Sequence, residues 1–279
     1  MCTSEYGLYF TSATQNERGP PHRKNPSVFS TKNGMQIPEV IEQAADLLRN
    51  AKRVLFLTSA GMSADSNIPT FRDKDGYWDN FPPFKEKNLE AQDLANPWAF
   101  RNELTHAWAF YEWRRQNAHE NTPHGGYDII NYWMQNHLED GFIHTTNTDG
   151  YHLRSGCRPD GVLEVHGSMW RLQCLDVCSQ QFWDEETVPL CNLDRVTMKA
   201  SNLPTCPQCR GVARPHILMF GDMEYVGHPE QEKNFCDFMH QGTDLVILTG
   251  SSGAVPTNDY IALQLKNRGT EVININPDP

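Results

Sequence analysis

Four cysteines have the spacing of metal ligands. Cys174-x-x-x-Cys178 and Cys206-Pro-Gln-Cys209 are separated by 27 residues, and four thiolates in two short-spaced pairs close a tetrahedral shell of the kind that holds structural zinc. Such a shell leaves no position for a reacting water, so the expected metal, a Zn2+ on all four thiolates, is structural. Two other readings stand beside it. Cys174 and Cys178 one helical turn apart can be core residues, and Cys206 with Cys209 can be a redox dithiol, although that pair does not open a helix after a strand. Eight cysteines in 279 residues are too few for a disulfide scaffold, and close pairs without a signal peptide point to metal in a reducing, intracellular compartment, the cytoplasm being the expectation.

Three further groups carry chemistry. The turn Thr58-Ser59-Ala60-Gly61-Met62-Ser63-Ala64-Asp65-Ser66 follows an apolar run and is built of small residues, which let backbone N–H groups approach a pyrophosphate. With no G-x-G-x-x-G present, a tight strand-to-helix turn explains the same residues. Asn67-Ile68-Pro69-Thr70-Phe71-Arg72-Asp73 continues it with an aromatic ring and a cation. Thr145-Thr146-Asn147-Thr148-Asp149-Gly150 ends another apolar run with an amide and a carboxylate two residues apart. Those groups suit ribose hydroxyls or a carboxamide, and an Asx-rich turn has the same composition. Glu164-Val165-His166-Gly167 supplies an imidazole, a general base if it faces the same crevice and a structural histidine if it does not.

Bringing these groups together takes a scaffold whose loops converge. Pro38 is placed to open a helix, and Val40, Ile41, Ala44, Ala45, Leu47 and Leu48 follow at helical spacing. Continuous apolar runs at Arg53–Thr58, Phe142–Thr145, Leu245–Thr249 and Val272–Ile275 read as strands buried on both faces. Helical segments are expected around 97–118, 124–137, 229–241 and 256–267. The alternation predicts an α/β fold, a Rossmann-like doubly wound parallel sheet, and such sheets bind ligands beyond the carboxyl ends of their strands. Residues 168–213 interrupt the alternation and carry both cysteine pairs. The expected organisation is an irregular extension over 1–36, a nucleotide-binding domain over 37–167 and 214–279, and a small zinc-binding module over 168–213. A net charge of −11 argues against nucleic acid as a partner, and no apolar run is long enough to span a membrane. Nothing in the pattern fixes an oligomeric state.

In chain order, SAGMSADSNIPTFRD, TTNTDGYHLRSG, EVHGS, the cysteine pairs, ARPHILMFGD and TGSSG resemble the sirtuins, NAD-dependent protein-lysine deacylases, over roughly residues 38–279. The resemblance implies NAD as cofactor, an acylated-lysine protein or peptide as substrate, and nicotinamide and O-acyl-ADP-ribose as products. It implies cofactor contacts at Ala60, Gly61, Asp65, Thr146, Gly250, Ser251 and Ser252, with Asn276 toward the adenosine. Thr70, Phe71 and Arg72 would belong to the loop that closes over the cofactor. Ile68 and Asp149 would hold the nicotinamide carboxamide, Asn147 would sit by its ribose, and His166 would take a ribose-hydroxyl proton. Arg214 and Pro215 would border the peptide channel, with Met219, Phe220 and Gly221 near the acyl-lysine.

The helical run Phe110–Arg115 also resembles the Tyr-x-x-Arg signature of sirtuins that remove succinyl and malonyl groups. Tyr111 and Arg114 are three apart and share a helix face, where a phenol and a guanidinium can bind a carboxylate; a packed Tyr beside a solvated Arg is the other reading. The chain departs from the family at Ser59 and Asn67, where the family has glycines, and at Thr146, where it has glutamine. Ser59 is expected to narrow the space beside the pyrophosphate, whereas Asn67 tolerates a left-handed backbone. Pro256 falls one position early in the family's Val-x-Pro pattern, and the sequence ends at Pro279, before the family's last adenine-contacting segment. These departures leave two other activities open, ADP-ribosyl transfer or NAD hydrolysis on the same scaffold, and a non-catalytic module that senses NAD or ADP-ribose.

Overall fold

The structure, a computed structural model, describes residues 37–69 and 81–276. The extension expected over 1–36, and Thr70, Phe71 and Arg72, lie outside the described residues. Among the described residues ten strands are formed: β1 (Arg53–Thr58), β2 (Asp140–Thr145), β3 (Val162–Glu164), β4 (Gly167–Cys174), β5 (Phe182–Asp184), β6 (Asn192–Asp194), β7 (Lys199–Ser201), β8 (Ala213–Ile217), β9 (Leu245–Thr249) and β10 (Glu271–Ile275). Five of them make one sheet in the order β10-β9-β1-β2-β3, parallel throughout.

The doubly wound expectation follows from how the strand residues divide. In β1, Val54 and Phe56 join one apolar cluster while Leu55 and Leu57 join the other, because side chains alternate across a sheet. Phe235, Phe238, Ile261 and Leu265, from the helices Pro229–His240 and Thr257–Asn267, cover the Leu55/Leu57 face. Tyr127 and Ile130, from the helix Gly125–Asn136, cover the other. A strand sealed on both sides has no use for polar side chains, which is why β1 reads as a continuous apolar run.

The sequence predicts one helix around 97–118, and the structure has two, Pro97–Asn102 and Leu104–Glu120. The first is capped by Asn96, whose side chain accepts from the Ala99 N–H at 2.9 Å, and it breaks at Glu103, where φ −126 and ψ 38 leave helical space. β3 has only three residues, too few for a periodic signal. The Leu104–Glu120 helix is tied to the cysteine-bearing part of the chain. From it the buried Arg115 donates to the carbonyls of Met169, Glu185 and Thr187, the last two at 2.8 and 2.9 Å. There, β4 pairs antiparallel with β5 and β8, and β6 with β7. Among the described residues no helix is long and apolar enough to cross a membrane.

Candidate active site

The chain passes from β1 outward to β2 and β3, then returns to lay β9 and β10 on the other side of β1. The strand order therefore reverses between β1 and β9, and the loops leaving their carboxyl ends part around a crevice. Two glycines set its width. The Gly61 N–H donates to the Gly250 carbonyl at 3.0 Å, and a Cβ on Gly61 would lie 2.7 Å from the Gly250 Cα. Gly250 has φ +66, and a Cβ there would lie 2.3 Å from the Met62 nitrogen, so only glycine allows this backbone-on-backbone approach. Gly250→Ala is expected to push the two loops apart, cost about 1–3 kcal/mol of stability and raise KM for the crevice's ligand. Thermal unfolding and steady-state kinetics check this, and an unaltered KM would show that the approach does not shape the crevice.

The rim is tied from several directions. Ser251 Oγ donates to Asp259 Oδ2 at 2.6 Å, the Asn276 amide donates to the Ser251 carbonyl, and the Gly250 N–H donates to the Ile275 carbonyl at 3.0 Å. Ala60, Gly61 and Ser252 are exposed, Ile68 is half-buried, and Asp65 is exposed at the end of the short helix Ala60–Ala64. Asn67 has φ +58, the left-handed backbone that an asparagine tolerates.

Beneath the rim, Asn147, Ser63, Asp149 and Tyr127 form one buried network. Ser63 Oγ donates to Asp149 Oδ2 at 2.6 Å. It accepts from Asn147 Nδ2 at 2.9 Å, which leaves Tyr127, also at 2.9 Å, as the donor to its other lone pair. Asn147 Nδ2 also donates to the Ser59 carbonyl at 3.0 Å. Asp149 Oδ1 accepts from the Tyr151 N–H at 3.0 Å, and its carbonyl accepts from Trp170 Nε1 at 2.6 Å. Burial raises the Asp149 carboxyl above its ordinary range, opposed by the Ser63 and Tyr151 hydrogen bonds and the charge of Arg114. Burial likewise pushes the Tyr127 phenol up, keeping it a neutral donor. Ser63 is absent from the sequence-based site, although it lies within the small-residue turn. Tyr127 comes from a distant helix and has no local signal.

His166 sits between β3 and β4, half-buried. Burial lowers its pKa to about 4, against a hydrogen bond to the Thr146 backbone that favours the charged ring. Its backbone is pinned on both sides. The His166 carbonyl accepts from Leu218 N–H at 3.0 Å, and Gly167, at φ +77, packs where a Cβ would lie 2.1 Å from the His216 carbonyl oxygen. The structure thus brings the ends of β1, β2, β3 and β9 to one edge, with Ala60, Gly61, Thr146, Asn147, Asp149, His166, Gly250 and Ser251 on them.

Beyond β8, Met219 is buried, Phe220 is 45% exposed and Gly221 takes φ +70. Arg214, expected beside a peptide channel, is instead fully buried. It donates to Asp222 Oδ2 at 2.6 Å, and Asp222 in turn accepts from the N–H groups of Met219 at 3.4 Å and Glu224 at 2.9 Å. This pair folds the Met219–Asp222 turn rather than facing a peptide. Tyr111 is buried and its phenol is pushed up to about 12, chiefly by burial, with Arg114 and Arg214 opposing the shift. The Arg114 guanidinium lies 5.5 Å from the Phe110 ring centre and 5.9 Å from that of Tyr111.

The sulfur-bearing atoms of Cys174, Cys178, Cys206 and Cys209 lie within 4.8 Å of one another. Cys174–Cys209 and Cys178–Cys206 are each 3.6 Å apart, close to the roughly 3.8 Å that separates sulfurs on a tetrahedral zinc. Cys174 ends β4, and the backbone reaches Cys178 through Val177 at φ +46. Arg210 at φ +63 turns the other pair back so that the Gly211 N–H donates to Cys209 Sγ at 3.4 Å. Because Cys174 lies on a strand and Cys178 is exposed, the helical-core reading is set aside. The donor set fits a structural zinc.

The Gly61–Gly250 approach and the buried Asn147 amide and Asp149 carboxylate lie at the carboxyl edge of the sheet, where such folds bind ligands. Comparison with known proteins bears on both sites. A model of the Sir2 family matches residues 59–257. An NAD-dependent protein deacylase of Aeropyrum pernix is 34% identical, over 86% of this chain and 87% of its own length; one of Corynebacterium glutamicum is 32% identical, over 87% of each. A crystal structure of a Sir2 homologue with NAD superposes with a TM-score of 0.69 at 29% identity, covering 85% of this chain and 82% of that one. A Sir2 homologue mutant with 2'-O-acetyl ADP ribose gives 0.69 at 29% identity, covering 85% of each.

Proposed function

The chain belongs to the Sir2 family, and we propose that it is an NAD-dependent protein deacylase acting on acylated lysine side chains. The observation that carries this reading is the buried Asn147–Ser63–Asp149 network at the edge of the sheet, with His166 at the neighbouring strand end. NAD, when bound, supplies an ADP-ribosyl group on a labile nicotinamide bond, and that group takes up the acyl unit. Asp149, with Ile68, binds the carboxamide end; the Ser63 hydroxyl bond and the Tyr151 N–H fix the carboxylate's orientation before any ligand arrives. Asn147, its amide nitrogen spent on Ser59 and Ser63, is held with an oxygen that has no hydrogen-bond partner among the described residues and is placed to meet a ribose hydroxyl. His166, neutral because its pKa is depressed, accepts a ribose-hydroxyl proton as general base. Ala60, Gly61, Gly250, Ser251 and Ser252 line the phosphate path and Asn276 the adenosine end. Zn2+ on the four cysteines is structural, holding the module that runs between His166 and the Met219–Gly221 turn.

Incubation of acetyl- and succinyl-lysine peptides with NAD, read by mass spectrometry, tests the reading: free lysine and O-acyl-ADP-ribose are expected. Nicotinamide release without deacylation would replace it with ADP-ribosyl transfer or NAD hydrolysis. Saturable binding with no NAD consumption would make the chain a sensor.

The finer reading is a preference for acidic acyl groups through Tyr111 and Arg114. It is supported by the place of Arg114 beside Tyr111, its guanidinium 5.5 Å from the Phe110 ring centre and 5.9 Å from that of Tyr111. A lost charge-assisted bond of about 1.5–3 kcal/mol means that Arg114→Met lowers desuccinylation kcat/KM roughly 10–100-fold and leaves deacetylation nearly unchanged. Equal loss on both peptides would remove Arg114 from acyl recognition.

A further inference from the structure

We infer that the Ser59 hydroxyl is a preset hydrogen-bond donor to an oxygen of the cofactor's ribose-diphosphate, a specificity-determining contact that rests on the NAD-dependent reading above. The inference follows from counting its bonds. Ser59 Oγ accepts from Asn258 Nδ2 at 3.1 Å and from Thr146 Oγ1 at 3.2 Å. The Thr146 proton has a second acceptor in the Thr58 carbonyl at 3.4 Å, and the nearer Ser59 oxygen takes the larger share, so both lone pairs of that oxygen are engaged. A hydroxyl has two lone pairs and one proton. Among the described residues no hydrogen bond from Ser59 Oγ as donor is found, and the side chain does not cap the helix that begins at Ala60. Its proton is therefore directed away from its two partners.

The partners are themselves fixed. Asn258 is fully buried; its other amide bond goes to the Thr58 carbonyl at 2.9 Å and its oxygen meets His144 Nδ1 at 2.8 Å. With the amide nitrogen donating, the oxygen must accept, so the His144 proton is on Nδ1 and the amide cannot flip. Ser59 is only 8% exposed. It lies directly after β1, its N–H donating to the Thr249 carbonyl of β9 at 3.0 Å, beside the Gly61–Gly250 approach. A donor oriented this way at the switch point meets whichever ligand oxygen enters the crevice without paying to reorient. On this inference Ser59 does more than narrow the space beside the pyrophosphate: its oxygen is held by Thr146 and Asn258, and its proton is left for the ligand.

The test is equilibrium binding of ADP-ribose, which cannot turn over, by titration calorimetry on the full chain, with KM and kcat for NAD alongside. Ser59→Ala is expected to weaken ADP-ribose roughly tenfold, the size of one lost hydrogen bond, and to raise KM for NAD with kcat unchanged, while the thermal midpoint falls because the buried Asn258 amide loses an acceptor. Thr146→Val is expected to weaken it a fewfold in the wild-type background and by a smaller factor beside Ser59→Ala, the difference being the part that acts by orienting that hydroxyl. Unchanged affinity in Ser59→Ala, or tighter binding in Ser59→Gly, overturns the inference alone. A wild-type chain that binds no ADP-ribose overturns it together with the NAD-dependent reading.

Discussion

Replacing His166 with alanine is expected to lower kcat for peptide deacylation by about 10²–10⁴-fold, the range a positioned general base supplies. Exchange of free nicotinamide into NAD should survive, since the proton His166 takes belongs to a later step. The change is expected to leave the fold intact, because the ring is half-buried and its anchoring lies in the backbone, through Leu218 and Gly167. The pH profile carries a second signature. With the ring's pKa lowered to about 4 by burial, the neutral, proton-accepting form is present above that value and is lost as pH falls through it. The His166-dependent limb of kcat/KM should therefore lie well below the 6.5 of a free imidazole. Deacylation within tenfold of wild type in His166→Ala, measured by mass spectrometry, would remove His166 from the chemistry.

Removing the metal is expected to have the other large effect. Structural zinc in small domains is worth about 10–16 kcal/mol of apparent binding free energy, comparable to the entire stability of an ordinary domain, about 5–15 kcal/mol. The module has short strands of three residues in β5, β6 and β7 and relies on Cys174 at the end of β4 and on Cys206 and Cys209 just before β8. Chelation, or Cys206→Ala, should release about one zinc per chain and abolish hydrogen-exchange protection over β4 to β8. β1 and β9, sealed between two apolar layers, should keep theirs. Activity should fall with the module, because β4 begins immediately after His166 and β8 leads into Met219. Zinc analysis paired with exchange mass spectrometry reads both halves; a metal-free chain with full protection in β4 and β8 would show that the four thiolates do not hold the module.

The two sites differ in how much of each is written locally. All four cysteines were assignable because ligand spacing is a property of short loops, and a turn that brings two sulfurs to one ion does so in almost any fold. The Arg53–Thr58 and Leu245–Thr249 strands were equally plain, since burial on both faces demands an unbroken apolar run. β3, with three residues, had too little length to show a period. Glu103 gave no warning of breaking a helix, because its backbone conformation is set by the capped helix before it and the packed helix after it.

Sequence alone determined the α/β alternation, the four-cysteine cluster, the glycine-bearing turns and the identity of Asn147, Asp149 and His166 as groups worth bringing together. Only the tertiary structure decided which hydrogen bonds those groups make. Ser63 became the hub of Asn147, Asp149 and Tyr127, residues 64 to 86 positions away in the chain. Arg214 turned inward to Asp222, and Ser59 had its lone pairs filled by Thr146 and by Asn258, 199 residues along. The physical reason is that strand and ligand spacing are local constraints on a few successive residues. A buried polar group must find a partner wherever the packed core has left one, and no local pattern records where that will be.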